Sequence, residues 1–192
     1  MDSTELLAKC RAGDRVAVEQ LVQDYQPHLF RLALSILDDG SENGSADAQE
    51  ATQDALMAAL RSLDSYRGEA KLSTWLYSIT VNLCRNRLRA RQRRDRVRQI
   101  FQTLTRPIED GAPQPEEVII KRQADSSLFG IVQSLNEKHR LPVILRYYHD
   151  CSIAEIAYLL DIPEGTVHSR LNTARKKLRN GLESLRNEDS NS

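Results

Sequence analysis

The stretch Ser152–Arg179, "SIAEIAYLLDIPEGTVHSRLNTARKKLR", begins apolar, turns through a proline and a glycine, and ends almost wholly basic. Ser152 stands directly before Ile153 and has Glu155 three residues on. That is the spacing of a capping box, in which each side chain satisfies the other residue's backbone N–H at a helix start. Ile153, Ile156, Ala157 and Leu160 follow on one inward face, and the small Ala157 lets a second helix cross closely. Asp161 and Ile162 form the turn, because aspartate tolerates a left-handed backbone better than most residues. Pro163 suits the first turn of the next helix, where its missing N–H costs little. Val167 and Leu171 pack that helix inward. The pattern predicts a helix-turn-helix, one helix supporting and the second presented.

On the second helix His168, Ser169, Asn172 and Thr173 share an outward strip, with Thr166 at its start. These are short polar groups able to donate to or accept from base edges. Arg170, Arg175, Lys176, Lys177 and Arg179 flank them and suit phosphates. The competing reading is a solvated cationic face in an ordinary bundle; the capped helix and tight turn in front of it favour DNA. His168 has no neighbouring Cys or His at metal-ligand spacing.

Over all 192 residues the charges balance, 27 basic against 27 acidic, so what informs is how they are sorted. Residues 38–54 hold six acids and no base; residues 85–98 hold eight arginines and only Asp95; residues 166–179 hold five bases and no acid. Blocks of this kind predict several distinct contact surfaces. The three cysteines, Cys10, Cys84 and Cys151, lie far apart and fit packed thiols in a reducing compartment better than a disulfide framework or zinc site. No signal peptide or long apolar run is visible, so a soluble, cytoplasmic protein is expected.

Helical spacing dominates and strand-like alternation is nearly absent. A short helix ends near Gly13. A second follows Asp14 as N-cap, with Pro27 expected to kink or split it. "DDGSENGS" reads as a loop, and Asp47 with Glu50 resembles another capping box. Ser73–Arg94 reads as one helix of ~33 Å, apolar on one side at first and basic on most sides later. Residues 101–117 carry three prolines, one glycine and four acids without apolar periodicity and read as a linker spanning up to roughly 55 Å. Beyond it, "VIIKRQADSSLFGIVQSLNEKHRLPVILRYYHD" returns to helical spacing, though Pro142 has no local reason to be there. The expected fold is all-α: two small helical domains, residues 1–98 and 118–187, joined by a flexible linker at 99–117, the second a helix-turn-helix, with a polar tail at 188–192.

"LDIPEGTVHSRLNTARKKLR" resembles the C-terminal helix-turn-helix of extracytoplasmic-function (ECF) sigma factors, small bacterial transcription-initiation subunits. "ADAQEATQDALMAALRSLDSYRGEAKLSTWLYSITVNLCRNRLRARQRR" is similar to the promoter-melting domain of the same family. The resemblance covers about residues 46–98 and 135–182, with a looser fit over 15–37.

Several roles are implied by this resemblance. The helix "DAQEATQDAL" matches the surface that binds the clamp helices of the polymerase beta-prime subunit, which points to Asp47, Gln49, Glu50, Gln53 and Asp54, with apolar neighbours such as Leu56; the same acids would also favour a helix N-terminus. "SYRGEAKLSTW" matches the loop and helix that grip the minus-ten element as single-stranded DNA, through Tyr66, Arg67, Lys71, Ser73 and Thr74. Trp75 either stacks or fills the core. Asn82, Arg85, Asn86 and Arg89 would contact the upstream edge of the opened duplex; the arginines beyond are either less specific contacts or a solvated face. Thr166, His168, Ser169, Arg170, Asn172, Thr173, Arg175, Lys176 and Lys177 would read the minus-thirty-five element. The implied partners are core RNA polymerase (beta-prime clamp helices and beta flap), promoter DNA and an anti-sigma factor.

The loop before Asp47 is longer than the family's common form, and Asn172 and Thr173 stand where many members carry larger or basic residues, so the promoter sequence does not transfer from a relative. Two other readings remain: a helix-turn-helix regulator acting without polymerase, and an RNA-binding helical protein using residues 85–98. An enzyme is not expected, since His28, His139, His149 and His168 are dispersed and no nucleophile–base or metal spacing emerges. No cofactor, metal or small-molecule substrate is expected.

Overall fold

The computed structural model describes residues 3–38, 43–105 and 128–189. Among them are eight α-helices, one short 3-10 turn and no strand. The N-terminal module contains α1 (Ser3–Arg11), α2 (Arg15–Leu37), α3 (Gly44–Arg61), the turn Leu63–Ser65 and α4 (Leu72–Thr105). The C-terminal module contains α5 (Leu128–Ser134), α6 (Glu137–Tyr147), α7 (Ile153–Leu160) and α8 (Glu164–Asp189).

Local chemistry explains most boundaries. Gly13 takes φ +79 after α1, a conformation that glycine enters without a Cβ penalty. Asp14 caps α2, its carboxylate accepting from the backbone N–H of Val16 at 2.9 Å and of Ala17 at 3.3 Å. Ser152 and Glu155 form the complete capping box at the start of α7, and Asp161 ends that helix in the left-handed region at φ 52. Pro163 stands just before α8 and its carbonyl takes the helix's first bonds, from Thr166 and Val167.

Four expectations are corrected. Pro27 does not split the helix: α2 runs unbroken through it, because Leu21 and Leu29 on either side are fully buried and that burial outweighs the lost backbone bond. Pro142 likewise lies inside α6, among the buried Leu141, Val143, Ile144 and Leu145. Asp47 is not a cap; α3 starts at Gly44, and Asp47 falls in its first turn, where its negative charge complements the positive end of the helix dipole. Residues 99–105, expected in the linker, continue α4, since glutamine and leucine are good helix formers and neither proline nor glycine intervenes before Thr105. Residues 106–117 of the expected linker, 118–127 of the second domain and 190–192 of the tail lie outside the described residues, as do 39–42 of the acidic loop.

Two clusters of buried side chains hold the molecule together. One belongs to the N-terminal module and contains Leu6, Leu7, Leu21, Leu29, Leu56, Leu63, Leu72 and Leu76. The other is shared: Leu32, Ile36, Val81 and Cys84 from the first module join Leu141, Ile144, Leu145, Ile156, Val167 and Leu171 from the second. Helix α7 lies against α4, and α6 against α2. The modules are therefore packed on one another. All three cysteines are free and buried. Burial pushes the Cys84 thiol up to about 12 and that of Cys151 to about 11, which leaves both without appreciable thiolate at neutral pH.

Candidate nucleic-acid and polymerase interfaces

The helix-turn-helix is built as its sequence predicts. Ile156, Leu159 and Leu160 bury one face of α7, while Ile153 and Ala157 pack at its margin. Val167, Leu171 and Ala174 bury one face of α8. What remains outward on α8 is His168, Ser169, Asn172, Arg175, Lys176, Lys177 and Arg179, all exposed, with Thr166, Arg170 and Thr173 half-buried beside them. The Thr173 hydroxyl donates to the Ser169 carbonyl at 3.0 Å, so it is engaged with its own helix. Arg175 Nε donates to the Tyr147 hydroxyl at 3.0 Å, which fixes that cation beside the strip. Gly181 permits the close approach of α8 to α5: a Cβ there would meet Ile131 Cγ2 at 2.8 Å.

The loop ahead of α4 is held by contacts its own sequence does not suggest. Arg11, at the end of α1, donates through Nη2 to the carbonyls of Leu63 at 3.1 Å and Tyr66 at 2.8 Å. The Tyr66 hydroxyl donates to the Ala70 carbonyl at 2.7 Å, closing the loop, and Gly68 makes its bend at φ +77. The Tyr66 ring lies 5.3 Å from Trp75, tilted by 51°. Trp75 itself is half-buried against the N-terminal core, so it supports the loop. Arg67 and Lys71 are exposed.

Along α4 the expected contact residues divide into two stripes. Asn82, Asn86 and Arg89 are exposed. Thr74 and Arg85 lie about 80° round the helix from that stripe and face the C-terminal module. Thr74 is 5% exposed, and its hydroxyl donates to Glu155 Oε1 at 3.2 Å. Arg85 Nε donates to Glu137 Oε1 at 3.0 Å. Ser73 is half-buried.

On α3, Gln49, Glu50, Gln53 and Asp54 are exposed and Asp47 half-buried. Arg87 of α4 reaches back to this face, 3.1 Å from Glu50 Oε2 and 2.6 Å from Asp54 Oδ2. The apolar neighbour of these acids is Met57, which is exposed, whereas Leu56 is buried in the core. The spacing Glu50, Gln53, Asp54, Met57 is the signal that would have found it. Farther along α4 the arginines 93, 94, 96 and 98 are exposed, and Val97, Ile100 and Phe101 are exposed among and just beyond them.

Between the modules lies a cleft of about 420 Å³ lined by His28, Arg31, Ser35, Tyr77, Tyr148, His149 and Asp150. His149 Nε2 is 3.0 Å from the Ser35 hydroxyl, and its ring meets Tyr77 edge-on at 6.0 Å. Burial, and then the nearby Arg31, lower the His149 pKa. Among the described residues no cluster of three His, Cys, Asp or Glu is disposed to hold a metal ion, and no helix is long and apolar enough to cross a membrane.

Comparison with known proteins agrees with this layout. The sigma-70 region 2 family matches residues 21–94 and the sigma-70, region 4 family residues 131–180. The ECF RNA polymerase sigma-E factor of Escherichia coli is 31% identical over 185 residues, covering 94% of each chain. The RNA polymerase sigma-H factor of Pseudomonas aeruginosa is 30% identical over 187 residues, again covering 94% of each. Among solved structures, CnrH in complex with the cytosolic domain of CnrY superposes with a TM-score of 0.63 at 21% identity, over 93% of this chain and 96% of that one. The sigma factor RpoE of Bartonella quintana, in complex with the anti-sigma factor NepR, gives 0.57 at 26% identity over 86% and 96%. With both regions present in order and full-length relatives at this identity, the chain belongs to the ECF sigma factors, subunits that bind core RNA polymerase and promoter DNA to initiate transcription.

Proposed function

We propose that the two modules divide promoter recognition between them without catalysing a reaction. Helix α8 enters the major groove of the minus-thirty-five element, with His168, Ser169, Asn172 and Thr166 toward base edges and Arg170, Arg175, Lys176 and Lys177 toward phosphates. The loop Tyr66–Lys71 and the stripe Asn82, Asn86 and Arg89 hold the minus-ten strand once it is unpaired, with Thr74 and Arg85 joining when they are uncovered. The face Gln49, Glu50, Gln53, Asp54 and Met57 docks on the beta-prime clamp helices: the acids guide approach and the methionine is buried on contact. The C-terminal module meets the beta flap, and residues 106–117 tether the two readers. The protein works in the cytoplasm, and an anti-sigma factor holds it inactive until a signal arrives.

The observation that carries this reading is the pairing, in one chain, of a helix whose outward strip is polar and then basic with a second, separate cationic surface on α4. Binding unpaired bases better than stacked ones shifts the melting equilibrium by that difference in affinity. Attachment to one polymerase raises the effective concentration for the second contact. The test is run-off transcription by core polymerase, with and without this protein, over a library of bacterial promoter regions. New, discrete start sites that need the protein are expected. Tight sequence-specific duplex binding by the free protein, with no gain in start-site selection, would instead favour a polymerase-independent regulator.

A further inference from the structure

We propose that the Tyr147 hydroxyl and the Arg175 guanidinium form a two-part clamp on one backbone phosphate beside the groove that α8 enters, which makes Tyr147 a DNA-contacting residue of the C-terminal module. The inference rests on the reading of α8 given above. One contact starts it. Arg175 Nε donates to the Tyr147 hydroxyl at 3.0 Å, joining side chains 28 positions apart, and both are exposed. Tyr147 closes α6, which packs directly against α8. Arg175 stands about two turns beyond His168, so it lies within about 20° of it round the helix and about 10 Å along it. It therefore belongs to the face that carries His168 and Asn172, and Tyr147 meets it from the α6 side, at the flank of that face.

This contact sorts the donors. A guanidinium carries five N–H groups in a fixed plane and no acceptor. Bonding through Nε turns one edge toward the tyrosine and leaves the terminal nitrogens for another acceptor. The tyrosine oxygen accepts from Nε, so its own O–H remains to donate. Among the described residues neither side chain has a further hydrogen-bond partner. Unused donors on two side chains thus lie together at an exposed spot, and residues 166–179 hold no acid to take them. A negatively charged group with several oxygens suits both donors at once, and a duplex backbone phosphate is such a group. A helix lying in the major groove has a phosphate backbone along its flanks, which is where Tyr147 stands.

The bond is not needed to hold α6 on α8. Leu141, Ile144 and Leu145 of α6 are already buried in one cluster with Val167, Leu171 and Ala174 of α8, and an exposed hydrogen bond adds little to such packing. What the bond does is fix a long side chain in advance. Lys176, Lys177 and Arg179 are exposed with no such brace among the described residues, so Arg175 gives up less side-chain freedom than they do when DNA arrives.

The test uses holoenzyme reconstituted from core polymerase and the full-length protein, on a promoter duplex recovered by selection from a randomised upstream element. Tyr147→Phe keeps the ring and removes the hydroxyl; Arg175→Gln removes the fork. Tyr147→Phe is expected to weaken duplex binding about 5-fold, the effect of one hydrogen bond of ordinary strength. The loss should be even across upstream sequences, with the urea midpoint of the free protein unchanged. The double variant is expected to lose less than the product of the two single losses, by about 3-fold or more, because the two donors act on one group. A scan with methylphosphonates, which neutralise one phosphate at a time, should find one position whose neutralisation weakens the wild type and leaves the double variant nearly unaffected. Wild-type binding by Tyr147→Phe, a loss matched by a lowered urea midpoint, or single losses that multiply in the double variant each overturns the clamp and leaves the promoter-recognition reading standing. A loss confined to one base pair also overturns it, since Tyr147 would then meet a base edge. Failure to recover any upstream element removes the promoter reading itself, and the clamp with it.

Discussion

On α8 most of the residues proposed to read DNA are exposed, His168, Ser169, Asn172 and Arg175 to Lys177 among them, with Arg170 and Thr173 half-buried. On α4 they are split, with Asn82, Asn86 and Arg89 in solvent and Thr74 and Arg85 under the second module. On the proposed reading the two surfaces face different targets. A duplex presents its base edges without being opened, so its reader can wait exposed, built on local helix-turn-helix geometry. An unpaired strand exists only after melting, and a strongly cationic grip left open would bind any single strand or RNA nonspecifically. A partly covered grip limits that background. On that reading, exposure on the two modules follows the state of the DNA each would meet.

The harshest way to break the comparison is to remove the scaffold of one reader and watch the other. Leu171 is 2% exposed beneath the α8 strip. Leu171→Ala should destabilise the C-terminal module by about 2–5 kcal/mol through lost burial and the cavity left behind. Trp75 is the only tryptophan and packs in the N-terminal core, so its fluorescence reports that module while far-ultraviolet circular dichroism reports both. Urea unfolding should show the circular-dichroism transition of the variant moving to lower urea, with the Trp75 transition lagging behind it. If both move together by the full amount, the shared cluster makes the modules one cooperative unit and they cannot be treated as separate readers.

A gentler cut sorts the α8 strip itself. Loss of a base contact through Asn172→Ala or His168→Ala should change preference at one position of the upstream element by about 1–3 kcal/mol. Lys177→Ala should weaken binding evenly across sequences and reduce its salt dependence. Selection from a randomised upstream element by the reconstituted holoenzyme measures both. A sequence-selective loss from Lys177→Ala, or an unchanged preference from the other two, would erase the distinction between reading and clamping residues.

What could be read in advance followed the range of the interactions involved. The helix-turn-helix depends on residues within a dozen positions of one another: the Ser152–Glu155 box, the left-handed Asp161, Pro163 before α8, and the buried Val167 and Leu171. Its form was legible for that reason. The grip proposed on α4 rests on residue types and a resemblance, and the packing of the second module over Thr74 and Arg85 was not legible. Thr74 meets Glu155 across 81 positions and Arg85 meets Glu137 across 52, and no periodicity records a contact of that range. Glu155 also had a sufficient local explanation as a cap, which hid its second partner. The brace from Arg11 to the loop at Leu63 and Tyr66 was hidden in the same way. The end of α4 was less legible: the prolines, the glycine and the acids of the expected linker all lie beyond Thr105, so nothing in residues 99–105 stops the helix. Met57 was legible from spacing and was passed over for Leu56, which the core claims.

The finest adjustment to the comparison is a proton. His149 sits at the seam between the modules, its ring against Tyr77 of α4 and its Nε2 at Ser35 of α2. From α2 it also faces the cleft residues Arg31 and His28; from its own turn it faces Tyr148, Asp150 and Cys151. Burial and the Arg31 charge lower its pKa below the ordinary 6.5, and Asp150 offsets only part of this. The closed arrangement therefore favours the neutral ring. Once the modules part, the ring regains an ordinary affinity for its proton and binds more of it than the closed form does. By linkage the closed form loses ground as pH falls through about 6.5, and gains nothing further well above it. Scattering from the full-length protein between pH 8 and pH 5.5 should show a modest expansion toward the acid end. Glu155, held below the usual carboxylate range, stays charged over this interval, so its contacts with Thr74 and Lys71 should not contribute. His149→Gln retains a polar group toward Ser35 but cannot take the charge, and should flatten the response. A variant as pH-sensitive as the wild type would remove this histidine from the seam's energetics, leaving the apolar cluster and the contacts of Glu137 and Glu155 to account for the closed form.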